Sequence, residues 1–267
     1  MLNDLIQATE NGNLEAVRNQ IDRGANIDAR DQDGCTALMH ASKNGNDEIA
    51  RFLLSKGAKV NLEDAYHITA LMYASQLGHD GVAKTLIARG AKVDSGNYTA
   101  LMYASQSGHN EVAETLIDNG ANVDKCSANG TTALMLASKK GHGTTAKLLL
   151  TKGADIDARD QDGCTALIHA SKNGNVKIVE TLIEQGANSD LFDAVYGHTA
   201  LMHASSYGHN QIAGYLKERA KVDINPTDGH NKVDINPTDR PDSPTTSTSS
   251  PTSSGRLSTN ADQRGKN

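Results

Sequence analysis

Thr36-Ala37-Leu38-Met39-His40-Ala41-Ser42 decides the fold, because the chain writes this heptapeptide six times. Variants start at Thr69, Thr99, Thr132, Thr165 and Thr199, at spacings of 33, 30, 33, 33 and 34 residues. Nine residues after each Thr stands a glycine: Gly45, Gly78, Gly108, Gly141, Gly174 and Gly208. Seventeen after stands a leucine, from Leu53 to Leu216. Twenty-one after come Gly57, Gly90, Gly120, Gly153 and Gly186, with Ala220 closing the series. A degenerate unit starts near Asn3, with Gly12 and Gly24 in phase. A fixed period of this length marks stacked units, none of which buries its apolar face alone.

Each unit reads as two short helices. Thr is a good N-cap, and Ala-Leu-Met-x-Ala supplies an apolar face behind it. The glycine nine residues on ends that helix. Apolar residues then fall at helical spacing, as in Ile49, Ala50, Leu53 and Leu54. Lys56-Gly57-Ala58 signals the second stop, and a polar stretch rich in Asp, Asn and Gly suits a turn or hairpin loop.

The unit resembles the ankyrin repeat, whose length is about 33 and whose pattern is T-P-L-H-x-A. The resemblance covers residues 3–224 as about seven units, starting near 3, 36, 69, 99, 132, 165 and 199. It implies an all-α solenoid of helix-turn-helix units joined by hairpin loops. Two departures are systematic. Ala replaces Pro at 37, 70, 100, 133, 166 and 200, and Met, or Ile168, replaces the His. In the family that His helps tie neighbouring repeats, so an apolar tie is expected here. The resemblance also implies partner contacts through loop tips and inner helices, and hence a non-enzymatic protein-protein interaction module, a scaffold or adaptor, with a protein or peptide as its partner.

Composition bounds the rest. With 3% aromatics and no Trp, small aliphatic side chains must do the packing. A net charge of −6 excludes a default nucleic-acid binder. No apolar run approaches the ~20 residues of a membrane span. Met1-Leu2-Asn3-Asp4 shows no secretory signal, and three distant cysteines argue for a reducing compartment. A cytoplasmic monomer is expected. Ile27–Asn46 and Ile156–Asn175 differ only at Met39 versus Ile168, so part of the array is a duplication. Residues 225–267, rich in Ser, Thr and Pro, read as a disordered tail. Its Ser243-Pro244 and Ser250-Pro251 suit proline-directed phosphorylation. Lys217, Glu218 and Arg219 read as the polar end that a stack presents to water.

Catalytic residues, cofactors and a metal are not expected. No nucleophile elbow, P-loop or Gly-rich strand-to-helix motif occurs. The histidines recur at fixed repeat positions, and equivalent positions in neighbouring repeats lie ~10 Å apart, too far for one ion. Cys35 and Cys164 read as loop-tip residues with some exposure, ~40 Å apart across four repeats at ~10 Å each. The tyrosines mark a binding surface. Tyr66, Ile68, Tyr73, Leu77, Tyr98 and Tyr103 come from two adjacent repeats and form the candidate hot spot, with Tyr196 and Tyr207 further on. The loop before Thr99 is three residues short, which suggests a notch beside Tyr66 and Tyr98. Lys139 and Lys140, with Lys43 and Lys172, offer a basic edge for an acidic peptide. The alternative is a secreted or host-directed ankyrin effector or regulator whose tail carries a delivery signal.

Overall fold

The computed structural model describes residues 2–222. The expected tail lies outside the described residues. Fourteen helices form seven hairpins among the described residues. They are α1 (Leu2–Glu10) and α2 (Leu14–Asp22), α3 (Ala37–Lys43) and α4 (Asp47–Ser55), α5 (Ala70–Leu77) and α6 (Asp80–Ala88). Next come α7 (Ala100–Ser107) and α8 (Asn110–Asp118), then α9 (Ala133–Lys140) and α10 (Gly143–Thr151). The last are α11 (Ala166–Lys172) and α12 (Val176–Glu184), then α13 (Ala200–Ser206) and α14 (Asn210–Val222). First helices of successive repeats pack on one another, and second helices stack behind them in a second row. No described helix is long and apolar enough to cross a membrane.

The repeated Thr starts every first helix from α3 onward. Its hydroxyl accepts the backbone N–H three residues on, as Thr69 does from Met72 at 3.3 Å. The methionine answers: the Thr69 N–H donates to Met72 Sδ at 3.4 Å. The same reciprocal pair joins Thr36 and Met39, Thr99 and Met102, and Thr132 and Met135. A sulfur acceptor thus stands where a capping box ordinarily has Glu or Gln.

Met39, Met72 and Met135 lie in the common core, which fits the expected apolar tie through Met. These methionines are buried, but their polar contact stays within the repeat. The hydrogen-bonded tie between repeats comes from the residue after the mid-repeat glycine. His79 Nε2 lies 3.0 Å from the Lys43 carbonyl, His109 Nε2 3.1 Å from that of Gln76, and His142 Nε2 3.0 Å from that of Gln106. Asn175 substitutes, donating to the Ser138 carbonyl at 2.7 Å, and His209 resumes the pattern on Lys172 at 3.2 Å. Each bond satisfies an orphan carbonyl at the end of the preceding first helix.

Leucines seventeen residues after the Thr form the core. Leu53, Leu86, Leu116, Leu149 and Leu182 are fully buried, each contributing roughly 2 kcal/mol of burial. A second tie runs along the loops: Asp28 accepts the Lys59 N–H at 3.0 Å, Asn61 that of Lys92 at 2.9 Å, and Asp124 that of Asp155 at 2.8 Å. The polar end expected of the last repeat is half right. The second helix α14 carries exposed Lys217, Glu218 and Arg219. The first helix α13 leaves Met202 50% exposed, where every equivalent residue is within 2% of full burial.

Candidate protein-binding surface

A carboxylate at the base of the hairpin organises four loops. Asp64 accepts the N–H groups of Tyr66 at 2.8 Å and Ile68 at 2.9 Å, and the hydroxyl of Tyr73. Asp31 and Asp160 accept the N–H groups of Cys35 and Cys164, both at 2.8 Å. They also meet Nε2 of His40 at 2.7 Å and of His169 at 2.8 Å. Asp193 accepts the N–H groups of Val195 and Tyr196 and lies 2.7 Å from His203 Nε2. The helix partner is always the residue four after the Thr. In the fifth repeat both members change together: Ser127 replaces the carboxylate and Leu136 the polar partner. In the shortened loop Tyr103 packs edge-on against Tyr98, with ring centroids 4.6 Å apart, and the Tyr98 hydroxyl bonds Gln106.

This arrangement corrects the expected exposure of Cys35 and Cys164. Both are buried, at 1% and 3%, because the carboxylate draws the backbone N–H inward and the thiol follows. Burial pushes the Cys35 thiol up against the opposing pull of Lys43, and it pushes Cys164 to about 11 with help from Asp160. Neither is a reactive thiolate at neutral pH.

Burial alone would raise these carboxyls, yet the N–H donors and side-chain partners hold Asp31 and Asp64 below their usual range and Asp193 at about 2. A depressed carboxyl stabilises the fold above its unfolded value of 3.8, and the gain is lost as pH falls toward the folded value. For Asp193 the loss between about pH 4 and pH 2 is roughly 2 kcal/mol. Helix content followed by circular dichroism should fall across that window. A melting temperature constant from about pH 4 to pH 2 would contradict this account.

The structure sorts the predicted residues. Tyr66 is 69% exposed at the hairpin tip. Tyr98 and Tyr103 are half-buried, and so is Ile68. Together Tyr66, Tyr98 and Tyr103 face a recess of about 640 Å³ closed by Glu63, His67, Gly96 and Asn97. Tyr73 is only 9% exposed, with its hydroxyl on Asp64, so it offers little to a partner. Leu77 is 46% exposed at the far end of α5, away from this recess. Tyr196 and Tyr207 are exposed in the last repeat. Lys139 and Lys140 are exposed in the last turn of α9, whereas Lys43 covers the Tyr73 ring at 4.1 Å and contacts Cys35.

Two features escaped sequence reasoning. His67 has φ +61°, the one described non-glycine residue in the left-handed region, where other repeats carry Gly34, Gly130, Gly163 and Gly197. The signal was a missing glycine two before Thr69. The other is a file of rings in the last repeat, through Tyr196, His198, His203, Tyr207 and His209, with successive centroids 5.3–6.4 Å apart.

The fold and this surface define a helical-hairpin solenoid whose polar chemistry goes into holding loops in place. A model of ankyrin repeats in three copies matches residues 5–97, 92–160 and 145–228, and the chain belongs to the ankyrin-repeat family. It is similar to the crystal structure of the human ASB11 ankyrin repeat domain, at 28% identity and a TM-score of 0.75, over 80% of this chain and 96% of that one. A search of the curated proteins found no match to this chain.

Proposed function

We propose that the chain is a non-catalytic module that grips a partner protein or peptide with the loop tips of its third and fourth repeats. Ankyrin repeats generally bind proteins, and the observation that supports this surface is His67. A non-glycine residue in the left-handed region costs roughly 1–2 kcal/mol, and neighbouring repeats avoid that cost with glycine. A side chain retained against strain, 85% exposed beside exposed Tyr66, supports a role in contact. The recess between Tyr66 and Tyr98 suits one inserted side chain. Free Cys35, Cys126 and Cys164 support a reducing compartment such as the cytoplasm.

His67→Gly separates stability from binding. It should stabilise the fold by about 0.5–1 kcal/mol while weakening partner capture, and Tyr66→Ala should cost about 2 kcal/mol of affinity with helix content unchanged. Capture from a lysate of the native cells, quantified by mass spectrometry against both variants, reads this. A partner retained equally by wild type and both variants would exclude these tips as the contact.

A further inference from the structure

Equivalent histidines in neighbouring repeats are too far apart to share an ion, but side chains four or five, and nine or ten, residues apart converge within one repeat. Three such groups occur among the described residues: Asp31, Cys35 and His40; Asp160, Cys164 and His169; and Asp193, His198 and His203. In each, one ligand-type atom per residue lies within 4.8 Å of the others. The third group differs from its two relatives in ways that all favour a cation.

His198 replaces the cysteine, so the donor set becomes two imidazoles and one carboxylate. Neither ring nitrogen of His198 has a hydrogen-bond partner among the described residues, and its ring stands edge-on to His203 at 5.3 Å. Asp193 and His203 are 2% and 3% exposed, so both are held in place. The loop N–H groups of Val195 and Tyr196 take one Asp193 oxygen, Oδ1. The other, Oδ2, faces His203 Nε2 at 2.7 Å and the His198 N–H at 3.2 Å. An ammonium also sets the groups apart. Lys43 Nζ lies 3.2 Å from Cys35 Sγ, and Lys172 stands at the same position of the second group, acting on Cys164. In the last repeat that position is Ser206.

We propose that Asp193, His198 and His203 form a site for a divalent transition ion of the zinc class, independent of the tip surface above. Ligand bonds of ~2.0–2.1 Å in tetrahedral geometry require donor atoms ~3.4 Å apart. Reaching that spacing needs a rotation of the loop-borne His198 ring and a small widening between Asp193 and His203. The ion replaces the hydrogen bond between Oδ2 and Nε2. His203 Nε2 then presents its lone pair to the ion, and the ring proton sits on Nδ1. Three protein ligands leave a fourth position for water or for a partner's side chain. The borderline softness of imidazole with carboxylate selects Zn²⁺ or Co²⁺ over Mg²⁺ or Ca²⁺.

The test is equilibrium dialysis of the full chain against Zn²⁺, with Co²⁺ absorption as a probe of coordination. One ion per chain is expected, with visible d–d bands of a four- or five-coordinate Co²⁺ site. His198→Ala removes no side-chain hydrogen bond, so the fold should persist by circular dichroism. It should weaken binding by more than the ~10–100-fold that loss of an outer partner costs. Ser206→Lys, which recreates the ammonium of the other two groups, should also weaken it. His169→Ala should leave affinity unchanged. The proposal is overturned by a wild-type dissociation constant above about 0.1 mM. Binding that survives His198→Ala, or that falls equally with His169→Ala, also overturns it.

Discussion

Gly78→Ala should destabilise the array by about 2–4 kcal/mol, although it adds a single methyl group. Gly78 caps α5 with φ +79°, a conformation that costs an L side chain roughly 1–2 kcal/mol. A Cβ built there would stand 2.5 Å from His109 Nδ1 and 2.7 Å from its Cε1. The imidazole cannot swing aside freely, because His109 Nε2 is bonded to the Gln76 carbonyl and its backbone caps α8. Displacing it forfeits that bond, worth about 1 kcal/mol, and opens the joint between two repeats. In a one-dimensional stack a weakened joint lets the two sides unfold separately, so the denaturation curve should broaden or split. Gly120→Ala is the control. Gly120 has φ +90° but nothing within 4 Å of the added methyl, so only the backbone cost of about 1 kcal/mol remains. Urea melts of the two variants read the difference. Equal losses would show that backbone strain alone, and not the seated histidine, makes the position glycine.

Asp64→Ala should cost about 3–5 kcal/mol, the magnitude for removing one side of a buried, charge-assisted network. Four donors lose their acceptor at once: the N–H groups of Tyr66 and Ile68, the Tyr73 hydroxyl and the Cys35 thiol. That hydroxyl stays protonated at any ordinary pH, because burial and the neighbouring carboxylate push its pKa far up. The chain itself carries the compensated alternative, since Ser127 with Leu136 fills the same two positions in the fifth repeat. Ser127 caps its own loop with the Thr131 N–H at 3.1 Å. Asp64→Ser with Tyr73→Leu should therefore recover about 1–3 kcal/mol relative to Asp64→Ala, a non-additivity that a double-mutant cycle resolves. A double variant as unstable as the sum of its parts would show that the two positions are independent.

The repeat, its helices and its turns were legible because every one is written at a fixed offset from a repeated Thr. Chemistry within a single repeat was less so. Comparing histidines across repeats puts them ~10 Å apart and hides that Asp31, Cys35 and His40 meet inside one. Cys35 looked like a loop tip because it precedes the helix cap, and only the Asp31 carboxylate turns it inward. Tyr73 and Tyr103 occupy one repeat position and read alike. Yet Tyr73 finds a carboxylate and is buried, whereas Tyr103, served by a shortened loop, lies against Tyr98. Loop length several residues upstream decides which of the two a partner can reach. His67 was visible only as an absence, a glycine that four other repeats keep.

The seat beside each mid-repeat glycine gives the stack a direction. Gly45, Gly78, Gly108 and Gly174 receive the next repeat's histidine, and Gly141 receives Asn175. Gly208, in the last described repeat, has the same backbone with nothing within 4 Å. The joint is tongue-and-groove, with the groove always on the C-terminal side. A hairpin inserted by unequal recombination therefore fits at any position in the same orientation, without change to its neighbours. A segment copied whole, as Ile27–Asn46 and Ile156–Asn175 record, arrives carrying its own groove. Length in such an architecture is a quantity that recombination adjusts freely, while the handedness of growth is fixed by where one methyl group is missing.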